Sequence, residues 1–277
     1  MEIIADCIRD ELLEAMRQDK LTLPTLPEVA LKIREAVNNP RADSHTIADM
    51  ISNDPAIAAR LIRIANSPMV RGDHTITDLK QVVARLGMAY TSNVVTAMTL
   101  ENMFRAKNRL IDDSLRRVWL DCTDVASLCF ALALNYTKLK PDVAVLGGLI
   151  HKIGALPLLH FLDSRSELLT DRAALDWLIN ELHPDIGVKL LTQWNFPLEL
   201  QTIPAEYQQF ERNVPYVDYV DLVSTATWQL RDRNSNWLAH SGDKLKAMER
   251  LGLSGTEDWL NNNNCRDDWE LAKAMWH

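Results

Sequence analysis

Metal sites, general bases and covalent nucleophiles are assembled from imidazole, carboxylate and thiolate groups brought close together. This chain of 277 residues offers few of them at useful spacing. Of its seven histidines, His45, His74, His160, His240 and His277 show no ligand spacing and read as surface or core fillers. The four cysteines, Cys7, Cys122, Cys129 and Cys265, include no C-x-x-C pair. Cys122 and Cys129 stand seven apart, so on a helix they share a face as small, buried, unreactive side chains. No G-x-x-x-x-G-K-S/T loop, G-x-G-x-x-G turn, G-x-S-x-G elbow or H-E-x-x-H pair occurs. The other two histidines, His151 beside Lys152 and His183 two residues before Asp185, also lack ligand spacing to each other. Two imidazoles with no carboxylate partner either hold one weak metal or a phosphate, or hydrogen-bond backbone and each other between packed helices.

The elements that must position these residues are all helices. Glycine numbers only 9 of 277 where about 7% is usual, the apolar residues lean to Leu, Ala, Ile, Val and Met, and no segment alternates with the period of a strand. Residues 1–20 predict an amphipathic helix with Ile4, Ile8, Leu12 and Ala15 on one stripe, stopped by Leu23-Pro24-Thr25-Leu26-Pro27. Asp43, Asp54 and Asp78 are candidate N-caps, Pro55 suits a first helical position, and Gly87 suits a helix end. The strongest periodicity runs over 114–136, through Leu115, Val118, Trp119, Cys122, Val125, Ala126, Cys129, Phe130 and Ala133, which predicts a central helix. Further helices are expected from Pro141 to Gly154, around Leu175–Leu182, from Pro184 to Trp194, up to Phe210, and from Val214 to Leu230, with a short apolar segment at Leu156–Leu162. Trp237, Trp259, Trp269 and Trp276 are expected to pack a helical tail onto the body rather than stack nucleic-acid bases, because the tail is rich in acids.

Net charge bounds the partners. With 30 basic and 38 acidic residues, a net of -8 argues against broad capture of nucleic acid or of an anionic membrane surface. The apolar run Ala144–Ile150 ends at His151, far short of the roughly 20 residues of a bilayer span. Scattered cysteines and an N-terminus with an early acid and no basic lead point to a reduced, cytoplasmic setting.

Several ordered motifs carry a resemblance. Leu-Pro-Thr-Leu-Pro-Glu-Val-Ala at 23–30, Asn-Asp-Pro-Ala-Ile-Ala at 53–58, Arg-Ile-Ala-Asn-Ser-Pro at 63–68 and Arg-Leu-Gly at 85–87 resemble the HDOD domain, a bacterial all-helical output module related to HD-type phosphohydrolases. The likeness continues through Gly148-Leu-Ile-His-Lys-Ile-Gly154 and His183-Pro-Asp-Ile-Gly187 to Trp194-Asn-Phe-Pro197, and spans roughly residues 15–225. It implies an all-α, HD-domain-like multi-helix bundle with an N-terminal helical subdomain: residues 1–110 as the N-terminal part, 111–230 as the HD-like core and 231–277 as a helical tail.

An active HD site needs a first His, an adjacent His-Asp pair and a later Asp. In the register that the resemblance implies, Asp121 stands at the first position, His151-Lys152 at the pair, Glu206-Tyr207 where many relatives carry two histidines, and Ser224-Thr225 at the last, with Asp221 close by on another helical face. An ammonium where a carboxylate belongs removes a ligand and repels a dication, which predicts no dinuclear centre and no cofactor. Lys152 then pairs with Asp121 or Asp185 in a salt-bridged pseudo-site with His151 and His183, or points to solvent at a helix end. Asn66 and Ser67 end one helix and satisfy its carbonyls or a neighbouring loop. With Arg60, Arg63 and Arg71 they form a solvated face or one that receives an anionic ligand or partner. The resemblance implies a non-catalytic signalling module that binds a signalling protein or a small nucleotide; the enzymatic alternative is a metal-dependent phosphohydrolase using Asp121, His151 and His183.

Overall fold

The computed structural model describes residues 2–18, 20–67, 70, 74–164, 172–230, 245–253, 259–261, 263–274 and 276. Arg71, Trp237, His240 and His277 lie outside the described residues, as do the side chains of Ile4 and Cys7. In chain order the α-helices are α1 (Glu2–Arg17), α2 (Glu28–Val37), α3 (Ser44–Ser52), α4 (Pro55–Ala65), α5 (Leu79–Leu86), α6 (Met88–Glu101), α7 (Arg109–Tyr136), α8 (Pro141–Ile150), α9 (Ala155–Asp163), α10 (Arg172–Gln193), α11 (Leu198–Gln201), α12 (Ile203–Glu206), α13 (Tyr219–Leu230), α14 (Lys246–Arg250) and α15 (Asn263–Lys273). No strand occurs among the described residues, so the fold is all-helical as expected.

Local chemistry sets many of these boundaries. The Asp43 carboxylate accepts from the Thr46 amide at 2.9 Å, Asp54 from Ala56 and Ile57 at 3.0 and 3.1 Å, and Asp78 from Gln81 at 3.0 Å. Each satisfies amides that the first helical turn leaves without an intrahelical acceptor. Gly87 joins α5 to α6 at φ +82°, a conformation that a side chain strains.

Three expectations need correction, the first being the helix up to Phe210, which is two short helices, α11 and α12, ending at Glu206. Residues 172–193 form one helix with Pro184 inside it, not two. Proline removes one hydrogen bond at a cost of about 3 kcal/mol, but Leu175, Leu178, Ile179 and Leu182 before it and Ile186, Leu190 and Leu191 after it are all buried, and their shared packing holds the axis continuous. The last long helix begins at Tyr219 rather than Val214, because the Asp218 carboxylate accepts from the Asp221 amide at 3.1 Å and caps it there.

The buried apolar side chains form two main clusters. The smaller joins α2 to α6 through Ile33, Ile47, Ile51, Leu61, Val82 and Val95. The larger is centred on α7, whose Leu115, Cys122, Val125, Ala126 and Cys129 are wholly buried, and it takes in α1, α8, α9, α10, α13 and α15. Arg109–Tyr136 and the stretch Pro141–Asp163 are long and apolar enough to cross a membrane by composition, which run length alone missed, yet both are mostly buried inside the fold. Two of the resembling motifs interlock between the clusters. The Trp194 indole donates to the Pro24 carbonyl at 2.9 Å, while the Arg34 guanidinium donates to the Trp194 and Asn195 carbonyls at 3.1 and 2.8 Å and lies 4.2 Å above the Phe196 ring.

Candidate functional site

Glycines decide how closely α7, α8 and α10 approach. A Cβ on Gly148 would stand 2.4 Å from the Ala126 Cα, so α8 crosses α7 backbone to backbone. A Cβ on Gly154 would stand 2.1 Å from the His183 carbonyl oxygen and 2.6 Å from the Gly187 amide nitrogen, so the turn after α8 lies directly on α10. The consequence is that His151, which ends α8, and His183, in mid α10, are both wholly buried beside α7.

The Lys152 ammonium donates to the Asp121 carboxylate and forms an ion pair with it. Of the two partners offered by the sequence, the structure selects Asp121. Asp185 lies on the exposed face of α10, because two helical steps from His183 turn it to the far side. Burial opposes the Lys152 charge, but Asp121 outweighs it and holds the ammonium above its ordinary pKa. Burial likewise opposes the Asp121 charge, and Lys152 foremost among its neighbours brings the carboxyl below its usual range. Both shifts favour the ionised pair.

The imidazoles are neutral. Burial, then the nearby Lys152 charge, brings His151 down to about 4 and His183 well below its ordinary value. His151 Nδ1 lies 2.7 Å from the Gly148 carbonyl, which can only accept, so Nδ1 carries the proton and Nε2 is a lone pair. That Nε2 and His183 Nδ1 are buried without a hydrogen-bond partner. Tyr207 packs between the two rings, edge-on to His151 with centroids 4.9 Å apart and tilted at 5.8 Å from His183. Its hydroxyl accepts from Gln208 Nε2 at 2.7 Å and is left to donate to His183 Nε2 at 3.1 Å. Among the described residues no three His, Cys, Asp or Glu side chains are arranged to hold a metal ion.

Tyr207 joins this cluster from a position for which the sequence carries one signal, its place beside Glu206 in the resembling register. A neighbouring ion network was not legible at all. Arg250 holds the buried Asp221 carboxylate at 2.6 and 2.8 Å, and Arg212 holds Asp218 at 2.6 Å and Glu206 at 2.6 Å. Asp221 therefore faces arginines, and Ser224 donates to the Tyr207 carbonyl at 2.7 Å. Cys122 is buried with its thiol pushed up to about 12, which makes it a poor nucleophile.

The second candidate face is architectural in part. Asn66 pairs with Ile76 in both directions, accepting at 2.8 Å and donating at 2.7 Å, and donates to the Ile62 carbonyl at 2.9 Å, so it both ends α4 and fixes the loop. Arg60 is bonded to Glu101 and lies 5.5 Å from the Trp276 ring centre, while Arg63 is exposed. The Ser67 hydroxyl is buried without a partner.

The all-helical fold is that of the HD-like phosphohydrolase superfamily, which is the class of this protein. Within it, the HDOD domain model matches residues 23–210, and the chain belongs to the HDOD family. It is similar over the full length of both chains, at 27% identity and a TM-score of 0.89, to a crystal structure from Shewanella amazonensis SB2B provisionally named a metal-dependent phosphohydrolase. A structure from Marinobacter aquaeolei VT8, provisionally named a signal transduction protein, matches 98% of this chain and 65% of its own at 20% identity and a TM-score of 0.65, a likeness of fold. An uncharacterized protein of Treponema pallidum (strain Nichols) is 25% identical over 74% of this chain, which spans 41% of that relative's length.

Proposed function

We propose that this chain is a non-catalytic HDOD regulatory module of bacterial signal transduction, which works in the cytoplasm by binding a signalling protein or a small nucleotide and uses no cofactor. The observation that carries this reading is the Lys152–Asp121 ion pair. A hydrolytic centre of the HD type needs several anionic oxygen donors around its dications. Here an ammonium stands beside His151 and engages the Asp121 carboxylate, so the residues present do not fit a dinuclear centre. Lys152, Asp121, His151, His183 and Tyr207 then form a salt-bridged, aromatic-filled scaffold.

A second reading, a metal-dependent phosphohydrolase using Asp121, His151 and His183, draws support from the name of the Shewanella relative and from the unpartnered Nε2 lone pair of His151. One experiment separates them. Metal content of the purified chain and a phosphodiesterase screen with manganese are expected to be negative, whereas turnover abolished by a chelator would overturn the regulatory reading. A thermal-shift panel of cyclic dinucleotides and nucleotide alarmones then distinguishes a small ligand from a protein partner.

A further inference from the structure

A narrow groove runs between α4, α6 and α8, lined by Ile64, Tyr90, Asn93, Val94, Asp142 and Val145, and Trp276 forms a further wall that closes it. Ile64 and Val94 belong to the smaller apolar cluster and Val145 to the larger, against which Trp276 also packs, so the groove lies at the seam between them. The Arg60 guanidinium lies 5.5 Å from the centre of the indole, a favourable cation–aromatic contact. The attachment of the preceding helix does not depend on it. Cys265 and Ala272 of α15 are wholly buried in the larger cluster, and Asp268 accepts from Asn135 of α7 at 2.8 Å.

The indole fits this seat incompletely. Its Nε1–H is buried with no acceptor, a loss of about 1–3 kcal/mol. Yet the groove holds an acceptor in Asp142, whose Oδ2 takes the Asn93 amide at 2.7 Å, and burial foremost, then Asp142, pushes the adjacent Tyr90 phenol up to about 12, so it stays a neutral hydroxyl. Apolar walls, a cation over the ring and an acid–amide pair together make a seat for a planar aromatic group that carries an N–H donor.

We propose that the groove between α4, α6 and α8 is a binding site for such an aromatic anchor, and that this chain closes it with its own Trp276 as a displaceable plug. The proposal stands whether or not the chain hydrolyses anything, because its test reads occupancy of the seat and not turnover. The full chain carrying Trp276→Ala is titrated with N-acetyl-tryptophanamide at millimolar concentration and followed by thermal shift. The probe is expected to raise the melting temperature of W276A by a few degrees and to leave the unsubstituted chain unmoved, since a tethered ring competes at a millimolar effective concentration. In W276A carrying Asp142→Ala as well, the shift should shrink several-fold. No shift in W276A, or an equal shift in the unsubstituted chain, overturns the proposal. Should W276A fail to fold, Trp276→Phe carries the same test: a shift smaller than a degree in the unsubstituted chain and larger in W276F supports the proposal, and equal shifts overturn it.

Discussion

The ammonium of Lys152, two residues beyond the end of α8, is bonded to the carboxylate of Asp121 on α7. An ion pair within the chain thus ties α7 to the turn after α8. It needs no ligand to form, and it leaves two neutral imidazoles and a tyrosine ring packed behind it.

Replacing this cation tests its role directly. Lys152→Met leaves Asp121 partly open to water, its side chain 43% exposed, so the loss should be about 1–2 kcal/mol rather than the ~3–5 kcal/mol of a fully buried pair. Urea unfolding measures it. Lys152→Asp restores a carboxylate beside His151, and manganese is expected to raise the melting temperature of that variant and not of the unsubstituted chain.

Acid should loosen the site. His151 titrates near its ordinary 6.5 in the unfolded chain and at about 4 when folded, so between these values the unfolded chain binds a proton that the folded one refuses. Stability is full above pH ~6.5, falls as pH drops to ~4, and is then flat for this group, a loss of about 3 kcal/mol. His183, lowered for the same reasons, adds to it. Chemical denaturation across this range should show the decline, and His151→Gln, which takes up no proton, should lessen it.

Close backbone contact predicts an intolerant glycine. Gly154→Ala puts a methyl 2.1 Å from the His183 carbonyl oxygen, and neither backbone can yield without separating the turn after α8 from α10. A loss of about 3 kcal/mol or more is expected, read as a lowered melting temperature with exposure of the buried His151–His183–Tyr207 cluster.

The arginine network should anchor α14 to α13. Asp221 is 1% exposed, and Arg250→Ala would leave it the 3.6 Å contact with Arg212 and the Asp218 amide at 3.4 Å. A loss of about 3 kcal/mol is expected, whereas the paired change Asp221→Asn with Arg250→Met should recover part of it. A urea midpoint that moves less for R250A than for the double variant would argue against this anchoring role.

Sequence alone determined the helices and the family, because caps, prolines and apolar stripes act over three or four residues. Asp43, Asp54 and Asp78 each reach an amide no more than three positions on, and the resembling motifs are contiguous. Lys152 was legible as a cation beside His151 for the same reason, since the two are adjacent in the chain. Tertiary structure decided what spacing does not encode. It joined Leu175–Leu182 to Pro184–Trp194 as one helix, because buried side chains on both sides outweighed the proline's missing bond. It chose Asp121 over Asp185 for Lys152, set Tyr207 between the two imidazoles, and turned Asp221 to Arg250 across 29 positions. Those pairings depend on which helix faces meet once glycines at 148 and 154 let backbones touch, and that geometry belongs to the packed chain as a whole.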